Sequence, residues 1–159
     1  MSVGGSKFHE QVAHFFIDIH NREAPEDIAA NLASEIRRHI TELGVTEFIV
    51  GHYGRFDSMA GQAVIAAKRE FPYIRLLQLI PYHPAEAPVD LPEGYDGTYY
   101  PPGMESVPRR FAIVRANRYM VDHTDYLIAY AWHPASNARE LVEYAETRQK
   151  CGLMQVTRI

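Results

Sequence analysis

The sequence predicts an α/β fold in which a doubly wound sheet of five parallel strands is flanked by helices. Short apolar runs typical of strands alternate with longer stretches whose apolar residues recur at helical spacing. Parallel strands need crossover connections, usually helices, so this alternation favours a parallel sheet. The chain has 159 residues, enough for a core of its own. We assign residues 1–11 to a flexible N-terminal segment and residues 12–159 to a single domain.

The first half of the chain contains three predicted strands and two predicted helices. Apolar runs predict the strands at residues 12–19, 47–50 and 74–80. The third run, IRLLQLI, is nearly all apolar, as expected of a strand buried on both faces. Pro25 suits the first turn of a helix after the first strand, and Gly44 suits its C-cap. The second helix is predicted from Ser58 to Phe71, because Pro72 stops it.

A long irregular segment is predicted at residues 81–107, which hold six of the ten prolines and four of the ten tyrosines. Loops of this length are often functional lids or mobile inserts. The tyrosines at positions 82, 95, 99 and 100 could stack on a base, or they could pack the loop onto the domain.

The second half of the chain completes the predicted sheet. The third helix is predicted over 108–121, the fourth strand over 126–131, the fourth helix over 137–150 and the fifth strand over 153–157. The expected inner face of the third helix contains Phe111, Ala112, Ala116, Tyr119 and Met120.

Composition narrows the function. The formal charge of -4 argues against a general nucleic-acid binder, which usually carries a basic face. The lone Cys151 excludes an internal disulfide, and its place before the last apolar run predicts a buried thiol. No histidine has H-E-x-x-H spacing, so we predict no metal and no other cofactor. No signal peptide or membrane-spanning run is present, which predicts a cytoplasmic protein without a membrane partner.

Most conspicuous polar residues follow a predicted strand. In doubly wound sheets, ligands bind beyond the carboxyl ends of the strands. These candidates are Asp18, His20, Asn21 and Arg22 after strand one, Gly51, His52, Tyr53, Gly54 and Asp57 after strand two, Tyr82 after strand three, and His133, Ser136 and Asn137 after strand four. We therefore predict a ligand site at that edge.

The turn GHYGRFD, residues 51–57, carries the clearest signal. Its glycines allow close backbone approach, and a helix N-terminus favours anions, so the turn could cradle a phosphate or a sugar. The alternative is a tight turn in which Asp57 or Ser58 only caps the helix. Residues 136–137 present the same two alternatives.

The other candidate ligand-binding residues could also be ordinary surface residues. Arg115 and Arg118 share a face of the third helix and could reach a phosphate. A solvated basic face is the expectation for Arg109. The histidines at positions 20, 52 and 133 could donate hydrogen bonds or act as an acid, or could simply lie in surface turns.

Two stretches resemble a known family. The runs FIVGHYGRFDSMAGQAVIAAKREFPYI and VPRRFAIVRANRYMVDHTDYLIAYAWH resemble the YpsA-like branch of the SLOG superfamily, over roughly residues 12–158. The resemblance implies a Rossmann-like sheet. It also implies a nucleotide or nucleotide-derived ligand, because the superfamily includes cytokinin-activating phosphoribohydrolases, the DNA-processing protein DprA and sensors of NAD-derived signals.

The chain departs from the family pattern at several points. It reads IDIHNRE where relatives often carry G-H-R, and Ser136-Asn137 where relatives carry two glycines. The position of the phosphoribohydrolase arginine falls on Ala116, and that of the glutamate falls on Val142, next to Glu143.

The sequence thus predicts a binding module, a sensor or sequestering protein for a nucleotide-derived small molecule. Gly51 to Gly54 would cradle phosphate or ribose, and Arg22, Arg115 and Arg118 would neutralise charge. One alternative is a phosphoribohydrolase-type enzyme that cleaves an N-glycosidic bond, with Glu143 or Asp57 as the carboxylate and His52 or His133 as the acid. Another is a protein-interaction module with a decayed site. The resemblance also implies a possible homodimer.

Overall fold

The fold is α/β. The computed structural model describes residues 11–17, 26–51, 55–130 and 137–159. The elements are β1 (Gln11–Ile17), α1 (Glu26–Thr41), β2 (Val45–Val50), α2 (Arg55–Glu70), β3 (Arg75–Leu79), β4 (Gly97–Tyr99), α3 (Ala112–His123), β5 (Tyr126–Tyr130), α4 (Asn137–Lys150) and β6 (Gln155–Arg158). Two short 3-10 turns, Met104–Ser106 and Arg109–Phe111, precede α3. Within these ranges, no helix has the length and apolar character needed to cross a membrane.

The described residues form one sheet of six strands in the order β4-β3-β2-β1-β5-β6. All neighbouring strands are parallel, which confirms the parallel α/β prediction. The predicted number of five strands is wrong, because β4 forms inside the segment 81–107 that the sequence predicts to be irregular. Strand β4 has only three residues and contains no apolar run, so the sequence around it does not predict a strand. Pairing with residues 77–79 of β3 makes the segment a strand.

The strand order reverses at β1. From β1 the chain adds β2, β3 and β4 on one side, and then β5 and β6 on the other. At such a reversal, the connections after two neighbouring strands run in opposite directions. This leaves a crevice at the carboxyl ends of the strands, where ligands bind in sheets of this kind.

Helices cover both faces of the sheet. Phe48, Val50 and Leu76 pack in one cluster with residues of α1 and α2. Ile49 and Leu77 point to the other face, where α3 packs, and α4 packs beside it against β5. Because both faces are covered, consecutive residues of a strand are all buried, which explains the unbroken apolar runs.

Several predicted boundaries shift. Helix α2 begins at Arg55 rather than Ser58, and α3 begins at Ala112 rather than Pro108. The prediction that Phe111 faces inward is wrong, because its side chain is 50% exposed. Phe111 ends a 3-10 turn, which winds at about three residues per turn and so rotates it off the α3 stripe. Ala112 and Ala116 of that stripe are buried as predicted.

The expectation of a buried thiol is also wrong. Cys151 is exposed in the turn after α4, next to Gly152, whose φ is 75°. In the apolar run that follows, Leu153 is exposed and Met154 is buried. The turn therefore directs Met154 into the core, with Val156 packed against the same cluster, and leaves Leu153 at the surface.

Candidate ligand-binding site

The structure describes part of the predicted site. Predicted site residues that lie outside the described ranges are Asp18, His20, Asn21, Arg22, His52, Tyr53, Gly54, His133 and Ser136. Asn137 is the first residue of α4. The described part of the predicted site consists mainly of residues that follow β2 and β3.

Gly51 and Asp57 are in close contact across the turn between β2 and α2. Asp57 lies in the first turn of α2 and is only 4% exposed. A Cβ built on Gly51 would lie 2.9 Å from Asp57 Oδ2 and 3.1 Å from Cγ. The side chain of Asp57 thus occupies the space that a larger residue at position 51 would need. The contact with Asp57 is therefore enough to explain why residue 51 is a glycine.

The charge at this turn bears on the kind of ligand group it suits. The N-terminus of a helix stabilises a negative charge, and in α2 the Asp57 carboxylate lies there. A phosphate at the same place would meet a like charge. Carboxylate oxygens accept hydrogen bonds, as a sugar hydroxyl requires. Of the two ligand groups predicted for this turn, the arrangement favours the sugar.

Tyr95 packs onto α2 one turn further along. Its hydroxyl lies against Gly61, where an added Cβ would overlap it. Burial raises the pKa of the Tyr95 phenol, and the negative charge of Asp57 raises it further. Tyr95 therefore packs the long loop onto the domain, which is one of the two predicted roles of these tyrosines.

The residues next to Tyr95 are held to the same helix and to β3. The Asp96 carboxylate accepts hydrogen bonds from Lys68 Nζ at 2.6 Å and from the backbone N–H of Leu76 at 2.8 Å. Burial alone would raise the pKa of Asp96, but these hydrogen bonds and the positive charges of Lys68 and Arg75 together hold the pKa below its ordinary value. Residues 94–99 are thus docked, so a lid in the long loop would involve its other residues.

A cavity of about 240 Å³ lies at the carboxyl end of β3. Its lining residues are Gln78, Leu79, Ile80, Pro81, Tyr82, Ala87, Pro88, Val89 and Asp90. Gln78 is 2% exposed, and its Oε1 is a buried acceptor without a hydrogen-bond donor among the described residues. The first part of the long loop thus encloses a cavity at the carboxyl end of β3.

A second cavity of about 450 Å³ shares Pro81 and Tyr82 with the first. The Arg109 guanidinium lies 4.4 Å from the centre of the Tyr82 ring, rather than only facing solvent as expected. Glu86 and Glu105 line the same cavity. Since the two carboxylates outnumber the arginine, this cavity does not suit a phosphate.

Arg115 and Arg118 lie elsewhere. Both line an open groove between α3 and α4, where the Arg118 guanidinium is 3.6 Å from the centre of the Tyr144 ring. Helix α3 packs on the face of the sheet opposite to α2, which carries Asp57. That these two arginines neutralise the charge of the same ligand stays a prediction.

Glu143, the predicted catalytic carboxylate, is on the solvent side of α4. Its side chain is 58% exposed, and its Oε1 accepts a hydrogen bond from Arg139 Nε at 3.1 Å. Val142, at the position of the family's glutamate, is buried in the core. The described geometry gives Glu143 a partner on its own helix.

Sequence reasoning missed Gln78, Asp90 and Arg109 as site candidates. A signal for Gln78 was present, because it is the one uncharged polar residue in IRLLQLI. Asp90 and Arg109 carry no such signal, since only the folded loop brings them to the cavities.

Comparison with known proteins adds no relative, because no protein-family model and no curated protein matches the chain. Among the described residues, no group of three or more histidine, cysteine, aspartate or glutamate side chains could hold a metal ion.

Proposed function

We propose that this protein binds a nucleotide or nucleotide-derived small molecule at the carboxyl edge of its sheet, as a sensor or sequestering module. One observation carries the proposal. Val50 of β2 is the register partner of Gln78 of β3. The Gly51–Asp57 turn, which follows Val50, therefore begins on the strand next to the Gln78 cavity.

The two neighbouring features match two parts of one ligand. Adjacent strands lie about 4.8 Å apart, so a molecule of nucleoside size can contact both strand ends. The Asp57 carboxylate would accept hydrogen bonds from sugar hydroxyls, and the cavity behind Tyr82 would take the base. This assignment also follows the general position of ligands in doubly wound sheets.

The resemblance to the YpsA-like branch of the SLOG superfamily supports the same proposal. A Rossmann-like, doubly wound class is consistent with the reversal of strand order at β1 and with helices on both faces. Function within that class is argued from the site rather than from the fold.

A second candidate function, protein interaction, is favoured by the outer surface of α3. Phe111 and Val114 are 50% and 44% exposed and line the groove between α3 and α4. Arg115 and Glu140 line the same groove, so one surface offers both signs of charge and can be complementary to a second copy of itself. Light scattering of wild type and of Val114→Glu tests this. A dimer that the substitution dissociates is the expected result, and a wild-type monomer contradicts it.

The experiment for the binding proposal has two arms. Small molecules released by denaturing the purified protein are identified by mass spectrometry, and thermal shifts are measured across a panel of nucleosides and nucleoside monophosphates. A ligand at 100 times its Kd stabilises the native state by about 2.7 kcal/mol. At about 2–4 °C per kcal/mol for a domain of this size, that raises the Tm measurably. No released nucleotide and no shift across the panel would contradict the proposal.

A further inference from the structure

Strand β6 forms one edge of the sheet in the described part of the chain, where β5 is its neighbour. The backbone N–H of Gln155 points toward β5 and donates to Asp125 O at 3.0 Å. Hydrogen-bonding directions alternate along a strand, so the N–H groups of Val156 and Arg158 point away from β5. A row of outward backbone groups is a template on which another strand can pair.

Helix α4 covers this edge with two side chains. Gln149 Oε1 accepts a hydrogen bond from the backbone N–H of Val156 at 2.6 Å. About one turn earlier on the helix, Glu146 Oε1 accepts a hydrogen bond from Arg158 Nε at 3.0 Å, within an ion pair. Gln149 is exposed, so water could satisfy its amide equally well. Burial therefore does not explain why Gln149 folds back onto β6.

The outward groups of β6 are complementary to those of a second copy of the strand. A two-fold axis at Thr157 would place Val156 opposite Arg158 of the second copy. In an antiparallel pair, two residues that face each other in this way exchange both of their N–H···O bonds, and the axis repeats the exchange. The N–H of Val156 is one of the two donors in each exchange. Gln149 already occupies that donor, so it blocks half of the hydrogen bonds that would join the copies.

We propose that Gln149 is an edge cap, which keeps β6 from pairing with the β6 strand of a second copy. Its Oε1 takes the place of the carbonyl oxygen that an incoming strand would bring to Val156. The ion pair of Arg158 acts in the same direction, because charged side chains on an edge strand oppose pairing. Strand β6 lines neither the cavity at the end of β3 nor the groove between α3 and α4. The cap is therefore independent of the proposed function.

The first test is amide exchange measured by NMR in dilute protein. Gln149→Ala removes the cap and leaves the core intact, because Gln149 is exposed. The amide of Val156 should exchange about fivefold faster than in wild type, as expected for the loss of one hydrogen bond. The amide of Gln155, which bonds to β5, should be unchanged. Gln149→Glu keeps an acceptor at the same side-chain length and should retain the protection of Val156. Equal exchange of Val156 in Gln149→Ala and wild type overturns the cap.

The second test is self-association, measured by sedimentation velocity over a range of protein concentrations. Gln149→Ala should associate at a concentration severalfold lower than wild type, whether the wild type itself is a monomer or a dimer. Gln149→Glu should behave as wild type. So should Gln62→Ala, the matched control at an exposed glutamine of α2. An unchanged concentration dependence in Gln149→Ala overturns the proposal.

A third measurement locates the contact between copies. In concentrated Gln149→Ala protein, the amide of Arg158 should exchange more slowly than in dilute protein, because it then donates to a second copy. In addition, Gln149→Ala combined with Arg158→Pro should associate no more than wild type. Proline lacks the N–H and is tolerated in an edge strand where that N–H faces outward. Association that persists in the double variant, without slower exchange at Arg158, places the contact elsewhere and overturns the proposal.

Discussion

Gly61→Ala should reveal how tightly the long loop is docked on α2. Alanine in a helix interior is ordinarily more stable than glycine by about 1 kcal/mol. At Gly61, however, the added Cβ would overlap the Tyr95 hydroxyl oxygen and lie 3.0 Å from Cζ. Overpacking of this kind costs about 1–3 kcal/mol. The net effect should therefore range from neutral to about 2 kcal/mol of destabilisation.

A movement of the Tyr95 backbone cannot readily relieve the overlap, because the residues on either side of Tyr95 are held in place. Asp96 is held by Lys68 and by the backbone of Leu76. Gly94 has φ 97°, and a Cβ there would lie 2.8 Å from Ile65 Cδ1. A shift of the Tyr95 backbone would disturb these contacts, so only rotation of the Tyr95 side chain can reduce the cost of Gly61→Ala.

A double-mutant cycle with Tyr95→Ala isolates the contact. In that background the obstructing Tyr95 ring is gone, so Gly61→Ala should stabilise the protein by about 1 kcal/mol. Urea denaturation followed by circular dichroism gives the four free energies of unfolding, provided that the slopes agree. If Gly61→Ala stabilises the wild type as much as the Tyr95→Ala variant, Tyr95 does not dock against α2 and the reasoning is wrong.

Three further predictions concern pH, chemistry and loop motion. His39 is buried in α1, and its Nδ1 is 2.6 Å from Glu35 O. Burial lowers the pKa of His39 below its ordinary value of 6.5. Below about pH 6.5 the unfolded state therefore binds a proton more readily than the folded state does. The free energy of unfolding should fall between pH 7.5 and pH 5.5, more steeply in wild type than in His39→Gln, and equal slopes in urea titrations would contradict this. Phosphoribohydrolase activity should be absent, and chromatography should find no free base released from nucleoside monophosphates; release that Glu143→Ala abolishes would instead establish an enzyme. Hydrogen exchange within residues 82–107 should slow when adenosine saturates the protein, most of all at the amides of Ala87, Val89 and Asp90. Unchanged exchange would remove the lid role.

The sequence predicted the elements whose signal is local. The stripe of α1, with Ile28, Leu32 and Ile36 at helical spacing, is buried as expected. The apolar run of β3 lies inside the sheet between β2 and β4. The helical period shows which face of α1 is covered, and the unbroken apolar run shows that both faces of β3 are covered, so in each case one segment of sequence is enough.

Features that depend on distant residues could not be predicted. Three residues of β4 become a strand only because β3 offers an edge to pair with. The turn at Gly51 was visible in the sequence, but its contact with the Asp57 carboxylate was not. Gln78 stood out in its apolar run, yet only the fold shows that its Oε1 is buried without a donor in the described ranges.

An NMR titration of isotopically labelled protein with adenosine 5′-monophosphate tests most directly the claim that the carboxyl edge binds a nucleotide. The backbone amides of Gly51, Gln78, Tyr82, Ala87, Val89 and Asp90 should shift. At the opposite end of the sheet, an open groove of about 580 Å³ lined by Tyr126 and Gln155 is an internal control and should not respond. Shifts confined to that groove, or none at saturating nucleotide, would contradict the account.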